Sequence, residues 1–224
     1  DGTAVEFIVA QHDYEKDLNG KGKTLLMRTN LLPDNVGWGS KNANVSWENE
    51  PTLRNWFENT YAKRLSEAAL KTIVPVTIRY SYGSNSSGTL KDQRFFIPTA
   101  DEFNQFPGGK TFWERSFSGG RENATVNANG WDVYDIWQYS FACRNAKTGD
   151  DPSNSDNANC WGYIEGVGVK RGKGADPGDP GHITTYWYTG YHDTSIAGAL
   201  VCFCVDENAT VDDRGFLTSN KASE

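Results

Sequence analysis

The sequence predicts a single α+β domain: an antiparallel sheet packed on two or three helices, with a long loop-rich insertion. Three observations predict it. One stretch alone, Ser46–Ile73, sustains a helical period, with Leu53, Trp56/Phe57, Tyr61, Leu65, Ala68/Ala69 and Ile73 recurring at three- and four-residue steps. Other apolar runs are short, alternating and bounded by Gly, Asn or Asp, the pattern of strands and turns. From Lys110 the chain gathers Trp and Tyr among many Gly, Asn and Asp with little periodicity. No linker or composition shift divides the 224 residues, so residues 1–224 are read as one domain. Residues 1–109 form its helix/sheet scaffold half and 110–224 its loop-rich half.

Taken in order, Val5–Ala10 and Lys23–Leu31 read as strands around the polar turn Asp17–Gly22, where Asn19-Gly20 is a hairpin signal. Pro33–Val45 reads as loop. In the central stretch Asn49 is the expected N-cap, Pro51 sits where a missing N–H costs nothing, and Ser66 offers a second cap. That predicts helices over 51–64 and 66–73. Val74, Val76, Ile78 and Tyr80 then alternate with Thr77 and Arg79 in a strand that Pro75 keeps near an edge. A Gly/Ser/Asn tip spans Gly83–Gly88, and Arg94–Pro98 is a short strand. Thr99-Ala-Asp-Glu102 is a capping box opening a helix that ends at Pro107-Gly-Gly. Asp150–Asn159 and Gly172–Gly181 read as surface loops. Thr184–Tyr188, Ala199–Asp206 and Thr210–Leu217 read as strands, the last two joined by a turn at Asp206–Ala209.

The net charge of −7 and the lack of a basic run exclude nucleic acid and anionic membrane as partners. No stretch has the length of a membrane span, and the chain opens directly on a strand pattern, DGTAVEFIVA, the form of a mature product or an excised domain. Four cysteines are too few for a disulfide scaffold. Cys202 and Cys204 share a strand face as buried thiols, while Cys143 and Cys160 flank an acidic loop that they could bridge in an oxidising medium.

Catalytic groupings are sparse. His12-Asp13 follows a strand, His192-Asp193 sits in a loop, and His182 stands apart; sequence adjacency is not triad geometry, and no Gly-x-Ser-x-Gly step occurs. No catalytic residue is assigned, and the chain is read as a non-enzyme. Asp150, Asp151, Asp156 and Asn157 make an oxygen-rich loop able to hold Ca²⁺ weakly, against the plainer reading of a solvated loop. Aromatics make up 13% of the chain, more than a core of this size needs, and aromatic loops rich in Asn, Gly and Ser suit an adaptable binding face. The ligand-binding group is Trp131, Tyr134, Trp137, Tyr139, Trp161, Tyr186, Tyr188 and Tyr191, with Trp131–Tyr139 alternating enough to include a strand.

Three stretches, VEFIVAQHDYEKDLNGKGKTLLMR, PTLRNWFENTYAKRLS and FFIPTADEF, resemble in order and spacing a domain-of-unknown-function family with a C-type lectin-like fold. That family is abundant in Gram-positive gut bacteria and their phages, often in tail or adhesin proteins. Its first helix matches at Thr52, Leu53, Arg54, Trp56, Phe57 and Asn59, and its next helix start at Ile97, Pro98, Thr99 and Glu102. Its later Trp-x-Arg-Ser step finds its letters at Trp113–Ser116 and its context at Trp187–Gly190. The segment between those two places is long for the family. The resemblance implies a binding domain on a virion tail or cell surface, recognising a host-cell surface protein or glycan through the second half. It also admits a variable protein diversified by a retroelement. Two other readings stand beside it: a tail assembly domain whose aromatics lie in a homo-oligomer interface, and an enzyme of the formylglycine-generating type using Cys202 or Cys204. The central stretch is expected to brace the sheet without touching ligand.

Overall fold

Alternating apolar residues near the start build β1 (Phe7–Gln11) and β2 (Lys23–Arg28), paired antiparallel with Val9 opposite Leu26 and a register shift between Val9 and Gln11. The computed structural model describes residues 4–28, 32, 34, 46–49, 51–82, 86–104, 135–149, 161–172, 182–188 and 198–218. For most of 135–149, and for 161–172 and 182–188, the description is of backbone and register. Between β1 and β2 the expected hairpin turn is a short helix, α1 (Lys16–Asn19), closed by Gly20 at φ 73°. The Asn-Gly signal therefore marks a helix end, because left-handed glycine serves both purposes.

The central stretch is helical over 52–64. It opens as α2 (Thr52–Trp56), continues as a π turn (Phe57–Tyr61) and tightens into a 3₁₀ turn (Ala62–Arg64). The second helix, α3 (Glu67–Thr72), begins at the expected Ser66 cap, whose Oγ accepts from the Ala69 N–H at 3.1 Å. Asn49 is not the first cap. Its Oδ1 accepts from the Ser46 N–H at 2.6 Å, and Ser46 Oγ accepts from the Asn49 N–H at 3.1 Å. The pair closes the turn before the helix, and Pro51 takes the cap position without a side-chain bond.

Pro75 splits the next run in two. β3 (Ile73–Val74) joins the first sheet, and β4 (Val76–Tyr82) leaves it to pair with β5 (Ser86–Gln93). Val76, Ile78 and Tyr80 are buried while Arg79 is exposed, as the alternation requires. β5 falls partly where a loop tip is expected. Its Gly88 lies opposite Tyr80, and a Cβ there would stand 2.5 Å from the Tyr80 Oη, so the phenol fills the space glycine leaves. The capping box forms as read: Glu102 N–H donates to Thr99 Oγ1 at 3.0 Å and Thr99 N–H to Glu102 Oε2 at 2.9 Å, opening α4 (Ala100–Asn104).

The described residues of the second half are mostly strands. β6 (Asp135–Gly149), β7 (Trp161–Gly172) and β8 (His182–Tyr188) form an antiparallel meander, with β9 (Gly198–Ala199) parallel to β6. Thr184–Tyr188, read as a strand, falls within β8, while glycines hide the period of β7. β10 (Cys202–Asp206) returns to the first sheet between β2 and β3, giving the order β1-β2-β10-β3. The last expected strand is instead a small hairpin, β11 (Thr210–Val211) and β12 (Leu217–Thr218), turned by Gly215 at φ 82°. The architecture is α+β, with antiparallel sheets and few helices among the described residues. One core cluster joins the first sheet, the helices and β4, with Trp47, Leu53, Phe57, Phe96 and Phe103 among its fully buried members.

Candidate functional site

At Ala142 and Ala146 the register between β6 and β7 shifts, four steps along β6 answering two along β7. Such a bulge re-aims side chains, and here it delivers Arg144, with no exposed surface, into the scaffold. Its Nε donates to the Arg79 carbonyl at 2.5 Å, and its Nη1 to the Ile97 carbonyl at 2.9 Å and Glu102 Oε2 at 2.5 Å. Nη2 bonds Glu102 Oε1 and lies 3.3 Å from the Tyr14 hydroxyl, which itself donates to Glu102 Oε1 at 2.8 Å. The next residue, Asn145, accepts the Ser81 N–H at 2.9 Å. Burial opposes the charge on Arg144 most, yet the Glu102 carboxylate and the Tyr14 phenol together outweigh it and hold the guanidinium above its ordinary pKa. Burial pushes the Tyr14 phenol well up. The cluster is a clamp joining meander to scaffold.

Five of the eight expected ligand-binding positions fall on that meander. Trp137 lies opposite Lys170, Tyr139 opposite Val169, Trp161 opposite Gly149, Tyr186 opposite Gly166 and Tyr188 opposite Ile164. Glycine opposite an aromatic leaves room for another backbone or a ligand to approach. Ladder alternation divides the five into two sets: Trp137, Tyr186 and Tyr188 in one, Tyr139 and Trp161 in the other. The register does not put these five positions on one face of the sheet. Trp131, Tyr134 and Tyr191 lie outside the described residues, as do Asp150, Asp151 and Asp156 of the expected Ca²⁺ loop, Asn157, and Cys160.

A second concave feature was missed by sequence reasoning. A groove of about 980 Å³ lies over the outer face of the first sheet, floored by Phe7, Val9, Leu26, Phe203 and Val205. Lys63–Ser66, Ala69, Asp206, Glu207, Ala209 and the β11–β12 hairpin, which packs against α3, complete its lining. The central stretch thus borders a cavity, although it was expected only to brace the sheet. Arg64 in that lining makes a two-bond pair with Asp34 at 2.6 and 2.8 Å, whose hydrogen bonds hold the Asp34 carboxyl below the usual range. The sequence signal was available in the alternation of Val5, Phe7 and Val9, which leaves one face of an outer strand apolar.

Residues 21–157 match the family described as "Domain of unknown function (DUF6273)". The chain belongs to the DUF6273 family. No curated protein and no solved structure matches it. The DUF6273 match spans β2 through β6, including α2–α4, the capping box and the Arg144 bulge, and stops before β7.

Within this DUF6273 chain Cys143, Cys202, Cys204, His12 and Asp13 serve the fold, while His192 and Asp193 lie outside the described residues. Cys202 and Cys204 are both fully buried on the inner face of β10, and burial pushes both thiols up, with Glu102 adding to it. A thiol so placed is a poor nucleophile. Cys143 is likewise buried beside Arg144. His12 Nδ1 meets Thr24 Oγ1 at 3.1 Å, and Asp13 Oδ1 accepts from the Gly22 N–H at 2.8 Å, so the adjacent pair serves the β1–β2 turn. Among the described residues no three His, Cys, Asp or Glu side chains gather as metal ligands, and no helix is long and apolar enough to cross a membrane.

Proposed function

We propose that this DUF6273 chain is a non-enzymatic recognition domain of C-type lectin-like fold, a receptor-binding or adhesion module of a phage tail or bacterial surface. It engages a host-cell surface protein or glycan through β6–β8 and the segments joining them. One observation carries the reading: a sheet carrying Trp137, Tyr139, Trp161, Tyr186 and Tyr188 is fastened to the helix/sheet scaffold through the Arg144 clamp. Aromatic positions on a sheet held by a rigid support are the arrangement that stacking and hydrogen-bonded recognition need. The burial of Cys202 and Cys204 gives further support, since it removes the thiols a formylglycine-type enzyme would use.

Attachment of the labelled chain to Gram-positive gut bacteria tests the proposal. Trp161→Ala combined with Tyr191→Ala is expected to weaken attachment by roughly tenfold or more, the usual effect of losing aromatic anchors, with an unchanged far-UV spectrum. Full attachment by that variant would sink the proposed face. An obligate oligomer in solution that dissociates on the same substitutions would favour an assembly role.

A further inference from the structure

Four of the five most exposed large apolar side chains among the described residues line the groove: Val5 (40% exposed), Val9 (48%), Val211 (62%) and Phe216 (46%). Exposed apolar residues scattered over a surface need no explanation, but a cluster in one concavity does. The groove follows β1 along its length, from Ala4 to Asp13. Among the described residues β1 pairs with β2 alone and forms the edge of its sheet. An edge strand presents a row of N–H and C=O groups, and extended segments add to such edges.

Three occupants could fill such a groove: another copy of the chain, a small apolar ligand, or an extended peptide. The four exposed side chains offer on the order of a few hundred Å², well under the ~800 Å² per partner of a stable dimer. A purely apolar ligand does not explain the charges. Lys63 in the lining has no ion-pair partner among the described residues, and Asp206 and Glu207 line the groove as well. The open cavity and its two signs of charge fit a polypeptide carrying both.

We infer that this groove receives an extended segment of a partner polypeptide, apolar at alternate positions and bearing a basic and an acidic residue at its two ends. It lies along β1, with alternate side chains over Val5, Phe7 and Val9 and its charged residues toward Asp206/Glu207 and Lys63. The site is distinct from the aromatic meander and does not depend on it.

The test is a nitrogen-15 NMR titration of the full chain with the blocked peptide Lys-Val-Thr-Val-Thr-Val-Glu, and with Lys-Ser-Thr-Ser-Thr-Ser-Glu as control. The inference expects saturable shifts at Val9, Leu26, Phe203 and Val211 with the first peptide only. It expects roughly tenfold weaker binding in Val9→Lys and in Phe216→Asp, both surface changes whose fold the same spectra verify. Equal response to both peptides, or none at these residues with millimolar valine peptide, would overturn it. Two further results would also overturn it: a peptide-free dimer that Val9→Lys dissociates, and decanoate binding in the groove without response to peptide.

Discussion

A guanidinium with no exposed surface survives only if its charge and its donors are answered, and at Arg144 they are. Glu102 takes two donors, the carbonyls of Arg79 and Ile97 take others, and Phe96 lies beneath with its ring centre 5.5 Å from the Arg144 Cζ. Removing one member of such a pair strands the other. Arg144→Met is therefore expected to cost about 3–5 kcal/mol in urea unfolding, and Arg144→Met with Glu102→Leu to recover part of that loss. A single-substitution cost under about 1 kcal/mol would show that the pair contributes little. Tyr14→Phe deletes the bond to Glu102 and the longer one from Arg144 and is expected to cost about 1–3 kcal/mol. The sequence displays half of this cluster. Thr99 and Glu102 stand at capping-box spacing and are visible to any reader. Arg144 lies in a bulge, and a bulge follows from strand register, which local sequence does not encode.

Elements were legible wherever one face is apolar and the other polar. The helical period of Ser46–Ile73, the Ser66 cap and the alternation of Val76, Ile78 and Tyr80 all appear where their pattern puts them. Ser66→Ala is expected to destabilise by about 1 kcal/mol in thermal or urea melts; no change would mean that α3 is held by packing alone. β5 was hidden because its Ser, Gly, Thr and Asp residues carry no apolar alternation, its support coming from the Tyr80 ring opposite Gly88. That ring is stiff and its hydroxyl bonds Glu48, so it cannot easily retreat. Gly88→Ala is accordingly expected to cost about 1–3 kcal/mol by overpacking. β7 was hidden for a related reason, since Gly162, Gly166, Gly168 and Gly172 interrupt its period, whereas the strand read at Thr184–Tyr188 falls within β8. The run Thr210–Leu217 looked like one strand. Asp212 turns it instead, its Oδ1 accepting from the N–H groups of Arg214 at 2.9 Å and Phe216 at 3.0 Å.

For the whole molecule the buried acids set how stability depends on pH. Tyr14, Tyr61, Tyr80, Cys202 and Cys204 are neutral when protonated, and burial raises each one, Tyr61 to about 12. A raised folded value means the folded chain keeps protons that the unfolded chain releases. Their contribution is complete below the unfolded values, near 8.5 for Cys and 10 for Tyr, and is lost as pH rises through the folded values. Melting temperature is thus expected to fall steadily above about pH 9, and a flat profile to pH 11 would contradict the burial of these groups. The scaffold is where most of this burial sits, and recognition is assigned to the sheet clamped onto it. Amide hydrogen exchange of the intact chain, free and bound to envelope fragments of a bacterium it attaches to, separates the two most directly. The account predicts slowed exchange in 135–149, 161–172 and 182–188, with the core strands β2 and β10 unchanged. Protection confined to the scaffold, with the meander unaltered, would contradict it.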